Sequence, residues 1–122
     1  MAEKISSFKD LRTWQAAYEL SLEIYKITKN FPETEKFGLS NQVRRAVVSV
    51  ASNIAEGFSR QGLKEKLQFY HMAKGSLSEA ECQLMIAQGI GYISKEQLNS
   101  LQQDILSVNK MLSALMKTAH AK

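Results

Sequence analysis

The stretch GLSNQVRRAVVSVASNIAEG, residues 38–57, reads as a helix that is apolar on more than one side, with an unbroken polar line running down it. At ~100° per residue Val43, Val47, Val50 and Ile54 share one narrow sector, and Ala46 widens it on one flank. That is the face a helix turns toward a core. On the other flank Ala51, Ala55 and Val48 carry the apolar arc to roughly 200°, about twice the width a surface helix needs. The surplus asks for a second partner, either another helix of the same chain or another copy of it, and marks Val48, Ala51 and Ala55 as a candidate oligomer interface. Small apolar residues scattered at a surface are the plainer account. The polar line consists of Gln42, Arg45, Ser49, Asn53 and Glu56, which lie within about 80° of one another.

On either side of this helix the chain spells out three more. Trp14, Ala17, Tyr18, Leu22, Tyr25 and Thr28 recur at three- and four-residue steps, predicting a first helix over residues 11–30 that faces a core along that stripe. Phe31-Pro32 ends it, because proline cannot continue the hydrogen-bond ladder and pushes the residue before it out of the α region. ETEKFG is then a connecting loop. The second helix is predicted over 40–57, with Ser40 as N-cap and Gly57 as a left-handed C′ residue. The third, over 62–89, carries Leu63, Tyr70, Ala73, Leu77, Ala80, Leu84 and Ala87 at helical spacing, and Gly89 and Gly91 close it. Gly75 in its middle costs roughly 1 kcal/mol against alanine, which close helix packing or a local bend compensates. The fourth, over 94–118, opens on the capping box Ser94-Lys95-Glu96-Gln97. Leu98, Leu101, Ile105, Val108, Leu112, Leu115 and Ala119 then alternate steps of three and four, the seam of bundle packing. Four helices with short connections predict an all-α, up-down-up-down four-helix bundle in a single domain over residues 1–122.

A matching polar series on the third helix, Ser76, Glu79 and Gln83, is placed to face the polar line of the second. That register would pair Arg45 with Glu79 and satisfy amide groups across the interface. A ligand cleft lined by the same residues is the competing account.

The 122 residues, 44% hydrophobic, suffice for one real core. The start, MAEKISSFKD, lacks the apolar segment of a secretory signal, and no stretch approaches the ~18 apolar residues of a membrane span, so a soluble, cytoplasmic protein with no membrane partner is expected. Cys82 is the single cysteine, expected as a small buried hydrophobe in a reducing compartment. Sixteen Lys and Arg against twelve Asp and Glu give a formal charge of +4. The excess is uneven: from Lys36 to Lys74 seven bases are opposed only by Glu56 and Glu65, and the tail adds Lys110, Lys117 and Lys122. Arg44, Arg60, Lys64, Lys66 and Lys74 form a candidate nucleic-acid-binding set. A solubilising surface is the bland reading.

Recognisable catalytic patterns are missing. The sequence has no Gly-rich phosphate loop, CxxC, HExxH or nucleophile elbow. His71 and His120 are far apart, so no metal site is expected, nor any cofactor. Ser49, Asn53, Glu56 and Ser76 come with no base and orienting partner, so no catalytic residue is assigned.

Across nearly its whole length the chain resembles the 23S rRNA intervening-sequence protein family. The resemblance rests on DLRTWQAAYEL, on FPETEKFGLSNQVRRAVVSVASNIAEGFSR, and on FYHMAKGSLSEAE followed by GYIS. It implies a four-helix bundle that assembles as a homopentameric ring, in agreement with the oversized apolar arc. It also implies a distant similarity to the accessory proteins of diversity-generating retroelements, basic pentameric bundles that bind nucleic acid and a reverse transcriptase. The positions in the family motifs are Arg44, Arg45, Ser49, Asn53, Ile54, Ala55, Glu56, Gly57, Gly75, Ser76 and Glu79, with no catalytic assignment among them. Physically, Gly57 reads as a left-handed cap and Gly75 as a point of close approach.

Two functions compete. In the first, a homo-oligomer docks on the phosphate backbone of RNA or DNA without sequence specificity. In the second, a ring scaffolds a protein partner and its basic residues serve solubility.

Overall fold

The computed structural model of the chain describes residues 5–121. Residues 1–4 of the polar N-terminal stretch and Lys122 of the basic tail lie outside the described residues. Among those described there are four helices and no strand: α1 (Arg12–Thr28), α2 (Leu39–Ser59), α3 (Leu63–Ile90) and α4 (Lys95–Ala121), with single 3-10 turns at Phe8–Asp10 and Glu33–Glu35. Each helix backbone runs beside two others: α2 beside α1 and α3, α4 beside α1 and α3, with the α2–α3 pair the most extensive. Short connectors between adjacent helices make neighbours antiparallel, which gives the up-down-up-down four-helix bundle.

The core is one cluster drawn from all four helices. Val43, Val47, Val50 and Ile54 of α2 meet Ala17, Leu20 and Ile24 of α1, Tyr70, Leu77 and Leu84 of α3, and Leu101, Val108 and Leu112 of α4, all buried. The α4 seam is buried from Leu98 to Leu112, whereas Leu115 only packs partly against the cluster.

The first helix turns differently from the expected stripe. Its buried residues are Thr13, Ala17, Leu20, Ile24 and Thr28, whereas Tyr18, Leu22 and Tyr25 are exposed. Helix α1 carries two apolar arcs, and the aliphatic one fills the narrow space between helices, leaving the bulky aromatic one outside. Leu63 of α3 is likewise exposed, at the first turn before the bundle closes around the helix. Cys82 is exposed rather than buried, because it stands on the outer side of α3, away from Ala80 and Leu84.

Both ends of α2 are held by side chains from neighbouring segments of the chain. Helix α2 begins at Leu39, so Ser40 is not its N-cap but a buried first-turn residue. Glu35 Oε1 caps it instead, accepting from the Leu39 N–H at 3.0 Å, while Glu35 Oε2 accepts from the Tyr92 hydroxyl at 2.8 Å. A carboxylate is favoured at a helix N-terminus, where N–H groups lack partners. The Leu39 N–H, and after it the Tyr92 hydroxyl, hold the Glu35 carboxyl below its ordinary value. At the other end α2 runs past Gly57 to Ser59. Lys66 Nζ donates to the Gly57 and Phe58 carbonyls at 2.9 Å each, satisfying oxygens the last turn leaves open.

Gly57 is therefore not a left-handed cap; among the described residues only Gly91 has positive φ, at 100°. Gly91 ends α3 in a Schellman motif, with the Tyr92 N–H on the Ala87 carbonyl at 2.8 Å and its own N–H on that of Gln88 at 3.0 Å. The predicted box on α4 is present: the Gln97 N–H donates to Ser94 Oγ at 3.0 Å and the Ser94 N–H to Gln97 Oε1 at 2.8 Å.

Candidate interaction surface

The aromatic arc of α1 and the surplus arc of α2 converge. Trp14, Tyr18, Leu22 and Tyr25 form one wall and Val48, Ala51 and Ala55 the other, enclosing a surface groove of about 500 Å³ with no charged side chain in its lining. Leu22 is 50% exposed and Val48 44%. Such a wall of large apolar side chains differs from the single exposed leucines normal on any protein.

Local structure fixes the groove. Ser7 and Asp10 cap the turn before α1 reciprocally, the Lys9 N–H donating to Ser7 Oγ at 3.3 Å and the Ser7 N–H to Asp10 Oδ2 at 3.2 Å. This sets Phe8 edge-on to Trp14 at 5.1 Å between ring centroids, and Trp14 stacks on Tyr18 at 5.2 Å. At the floor Ser21 Oγ donates to the Ala17 carbonyl at 2.9 Å and reaches the Val47 carbonyl at 3.3 Å, tying α1 to α2. At the far end Arg44 Nε donates to Thr28 Oγ1 at 2.7 Å, and the guanidinium lies 4.7 Å over the Tyr25 ring.

Of the expected oligomer-interface residues, the structure brings Val48, Ala51 and Ala55 into this groove. Phe8, Trp14, Tyr18, Leu22 and Tyr25 are the members that reading the sequence assigned elsewhere or passed over. The signal for them was a second arc on α1, offset from Leu20 and Ile24.

The polar line is split. Ser49 Oγ lies 2.9 Å from Ser76 Oγ, and Asn53 Nδ2 donates to the Ser49 carbonyl at 2.8 Å and to Ser49 Oγ at 3.0 Å. Gln42, Arg45, Glu56 and Glu79 are exposed. Arg45 and Glu79 form no ion pair; the ion pairs among the described residues join Arg60 to Glu56 at 3.0 Å and to Glu65 at 3.8 Å. The Ser49–Ser76 contact sets the α2–α3 register and leaves both groups outside it. Gln83 Oε1 is buried with no hydrogen-bond partner among the described residues. Beside the contact, Ser49, Asn53, Met72, Gly75, Ser76 and Glu79 line a shallow notch. A Cβ at Gly75 would meet nothing within 4 Å, so no close approach within the chain requires that glycine.

The five candidate nucleic-acid cations do not form one patch of unoccupied side chains. Arg44 is held by Thr28 and Tyr25, Arg60 by Glu56, and Lys66 by the α2 carbonyls. Lys74 Nζ donates to Asn109 Oδ1 at 2.9 Å and Ser113 Oγ at 2.7 Å. Lys64 is exposed in the first turn of α3. A groove of about 530 Å³ between α1 and α4 is lined by Glu19, Glu23 and Asp104 against Lys26, which disfavours a phosphate there. Among the described residues no group of three His, Cys, Asp or Glu is placed to hold a metal ion. No described helix is long and apolar enough to cross a membrane.

Comparison with known proteins agrees with this architecture. A family profile described as 23S rRNA-intervening sequence protein matches residues 9–114. No curated protein matches the sequence significantly. A solved crystal structure of a protein with unknown function from the S23 ribosomal protein family of Bacteroides thetaiotaomicron VPI-5482 is similar at 25% identity, with a TM-score of 0.80 over 86% of this chain and 95% of that one.

Proposed function

We propose, for a chain that belongs to the 23S rRNA-intervening sequence protein family, a non-enzymatic structural role in the cytoplasm, exercised as a homo-oligomer whose subunits meet at the α1/α2 groove. The observation that carries this reading is the groove itself: an uncharged, aromatic-walled concavity spanning two helices. Burying it is favourable at about 25 cal/mol per Å² of apolar surface. The resemblance adds a ring of five copies as the expected assembly.

Association with the phosphate backbone of RNA or DNA is the second reading, favoured by the formal charge of +4 that every copy repeats. The local engagement of Arg44, Arg60, Lys66 and Lys74 directs it toward the summed field of the assembly rather than toward one pocket.

Native mass spectrometry on protein purified without nuclease tests both. A multimer in the wild type and smaller species for Ala51→Glu, with unchanged helical circular dichroism, support the assembly; a wild-type monomer at micromolar concentration refutes it. Nucleic acid that leaves as salt is raised supports the second reading. A clean multimer that binds no RNA or DNA at about 50 mM salt refutes it and leaves a scaffold for a protein partner.

A further inference from the structure

We infer that the groove between α1 and α4 docks an amphipathic helix of another protein, one whose apolar stripe is bordered by lysine or arginine. This groove lies on the other flank of α1 from the aromatic wall of Trp14, Tyr18, Leu22 and Tyr25, so the inference does not depend on self-association.

The floor of the groove is apolar. Leu20 of α1 and Leu101 and Val108 of α4 belong to the core and present their outer edges to it, with Ile27 partly buried beside them. Two features keep the seam open. The backbones of α1 and α4 run the least closely of any adjacent pair of helices, and Ala16, Ser100 and Ser107 along the lining are too small to bridge the gap. The resulting concavity of about 530 Å³ extends from Ala16 to Asn30 on α1, about 21 Å at the rise of an α-helix. An elongated apolar floor between two helices accepts a third helix along its apolar stripe.

Charge selects which helix. Glu19 and Glu23 on the α1 wall and Asp104 on the α4 wall are exposed and in no ion pair among the described residues, and Lys26 is the one base in the lining. Three acids against one base give the lining a formal −2, opposite in sign to the +4 of the chain. Helix α4 repeats the contrast along its length: Glu96 and Asp104 lie in its first half, beside the groove, whereas Lys110 and Lys117 lie beyond it. A stripe with cations on both flanks meets carboxylates on both walls; one with anions is repelled from both.

Two synthetic peptides of about 18 residues, long enough to cover the groove, test this complementarity. Both carry leucines at helical spacing, one with lysines on either flank of the stripe and the other with glutamates. Fluorescence anisotropy with the whole chain should show the lysine peptide bound about tenfold more tightly than the glutamate peptide. Glu19→Lys with Glu23→Lys should reverse that order. Glu65→Lys with Glu79→Lys makes the same change in net charge at exposed positions of α3, outside the groove, and should leave the order standing. Ser100→Trp fills the groove and should abolish binding of both peptides. Ser107→Trp does the same two turns along the wall, should Ser100→Trp lose helical circular dichroism.

No binding of either peptide, equal binding of the two, or equal loss in the α1 and α3 charge variants overturns the inference. Lysine-peptide binding that appears only once dilution separates the copies assigns the groove to a second copy, and overturns it as well. Saturation of the groove by spermine alone at micromolar concentration assigns it to a small polycation, with the same consequence. A wild-type monomer removes the proposed assembly and leaves these expectations as they are.

Discussion

Gly57 of α2 lies directly beneath the ring of Tyr70 of α3: a Cβ at position 57 would come 2.5 Å from Cε1 and 2.8 Å from Cδ1. Tyr70 is 1% exposed and walled in by the core, so the ring has nowhere to go. Gly57→Ala gains up to about 1 kcal/mol of helix propensity. Overpacking of the ring costs more, and a net loss of about 1–2 kcal/mol is expected in urea unfolding. Gly57→Ala combined with Tyr70→Leu should recover part of that loss. Additive costs in the double variant would show that the two residues do not meet.

The same ring carries a hydroxyl that burial makes hard to ionise, pushing Tyr70 from 10.0 up to about 12. The raised value means the folded state favours the neutral phenol. Its contribution is complete below about pH 10 and is lost as pH climbs toward about 12. Tyr70→Phe keeps the ring over Gly57 and removes the titration. Between pH 10 and 12 the parent's urea midpoint should fall more steeply than the variant's, lysine ionisation being common to both. Parallel curves would place the alkaline transition on other groups.

At the acid end the relevant group is Glu35, held below the ordinary 4.5 by the Leu39 N–H and then by Tyr92. A lowered folded value means stability that is present above the ordinary carboxylate range and disappears as pH falls through the lower folded value. Glu35→Gln should melt below the parent at neutral pH and converge with it in strong acid. Tyr92→Phe should produce a smaller deficit of the same sign, since the Leu39 contact survives. A Glu35→Gln deficit that persists unchanged into acid would assign the effect to lost packing instead of charge.

These contacts show where the sequence was readable. Phe31-Pro32, Gly91 and the Ser94–Gln97 box mark helix boundaries through local chemistry, and local chemistry is visible in a string of residues. The α4 seam has one apolar face and so one solution. Helix α1 has two, and spacing alone does not say whether Leu20 and Ile24 or Tyr18 and Leu22 point inward; size mattered, because the bulkier arc does not fit between helices. Gly57 takes the close-approach role expected of Gly75, and Gly75 takes neither role, for a similar reason. What makes Gly57 necessary is a ring 13 positions away on another helix, and what makes Gly75 unnecessary to its own fold is empty space. Arg45 and Glu79 looked like a pair until Ser49 and Ser76 fixed the register between α2 and α3.

Lys64 and Lys66 sit two residues apart and should answer to different assays. Lys66 reaches back to the last carbonyls of α2 with two hydrogen bonds of 2.9 Å. Its truncation to alanine should cost about 1 kcal/mol in urea unfolding, the usual net worth of capping bonds from a partly exposed charged donor. Lys64 is exposed in the first turn of α3, and Lys64→Ala should leave the urea midpoint unchanged. If the assembly docks on a phosphate backbone through that turn, the slope of log affinity against log salt should fall by about 1 for each Lys64 that lies against a phosphate. Lys66→Ala should change that slope less, because its ammonium is already shared with carbonyl oxygens. A salt slope insensitive to Lys64 but sensitive to Lys66 would mean that the lysine leaves its helix cap to meet the ligand, and would move the phosphate contact to the α2–α3 corner.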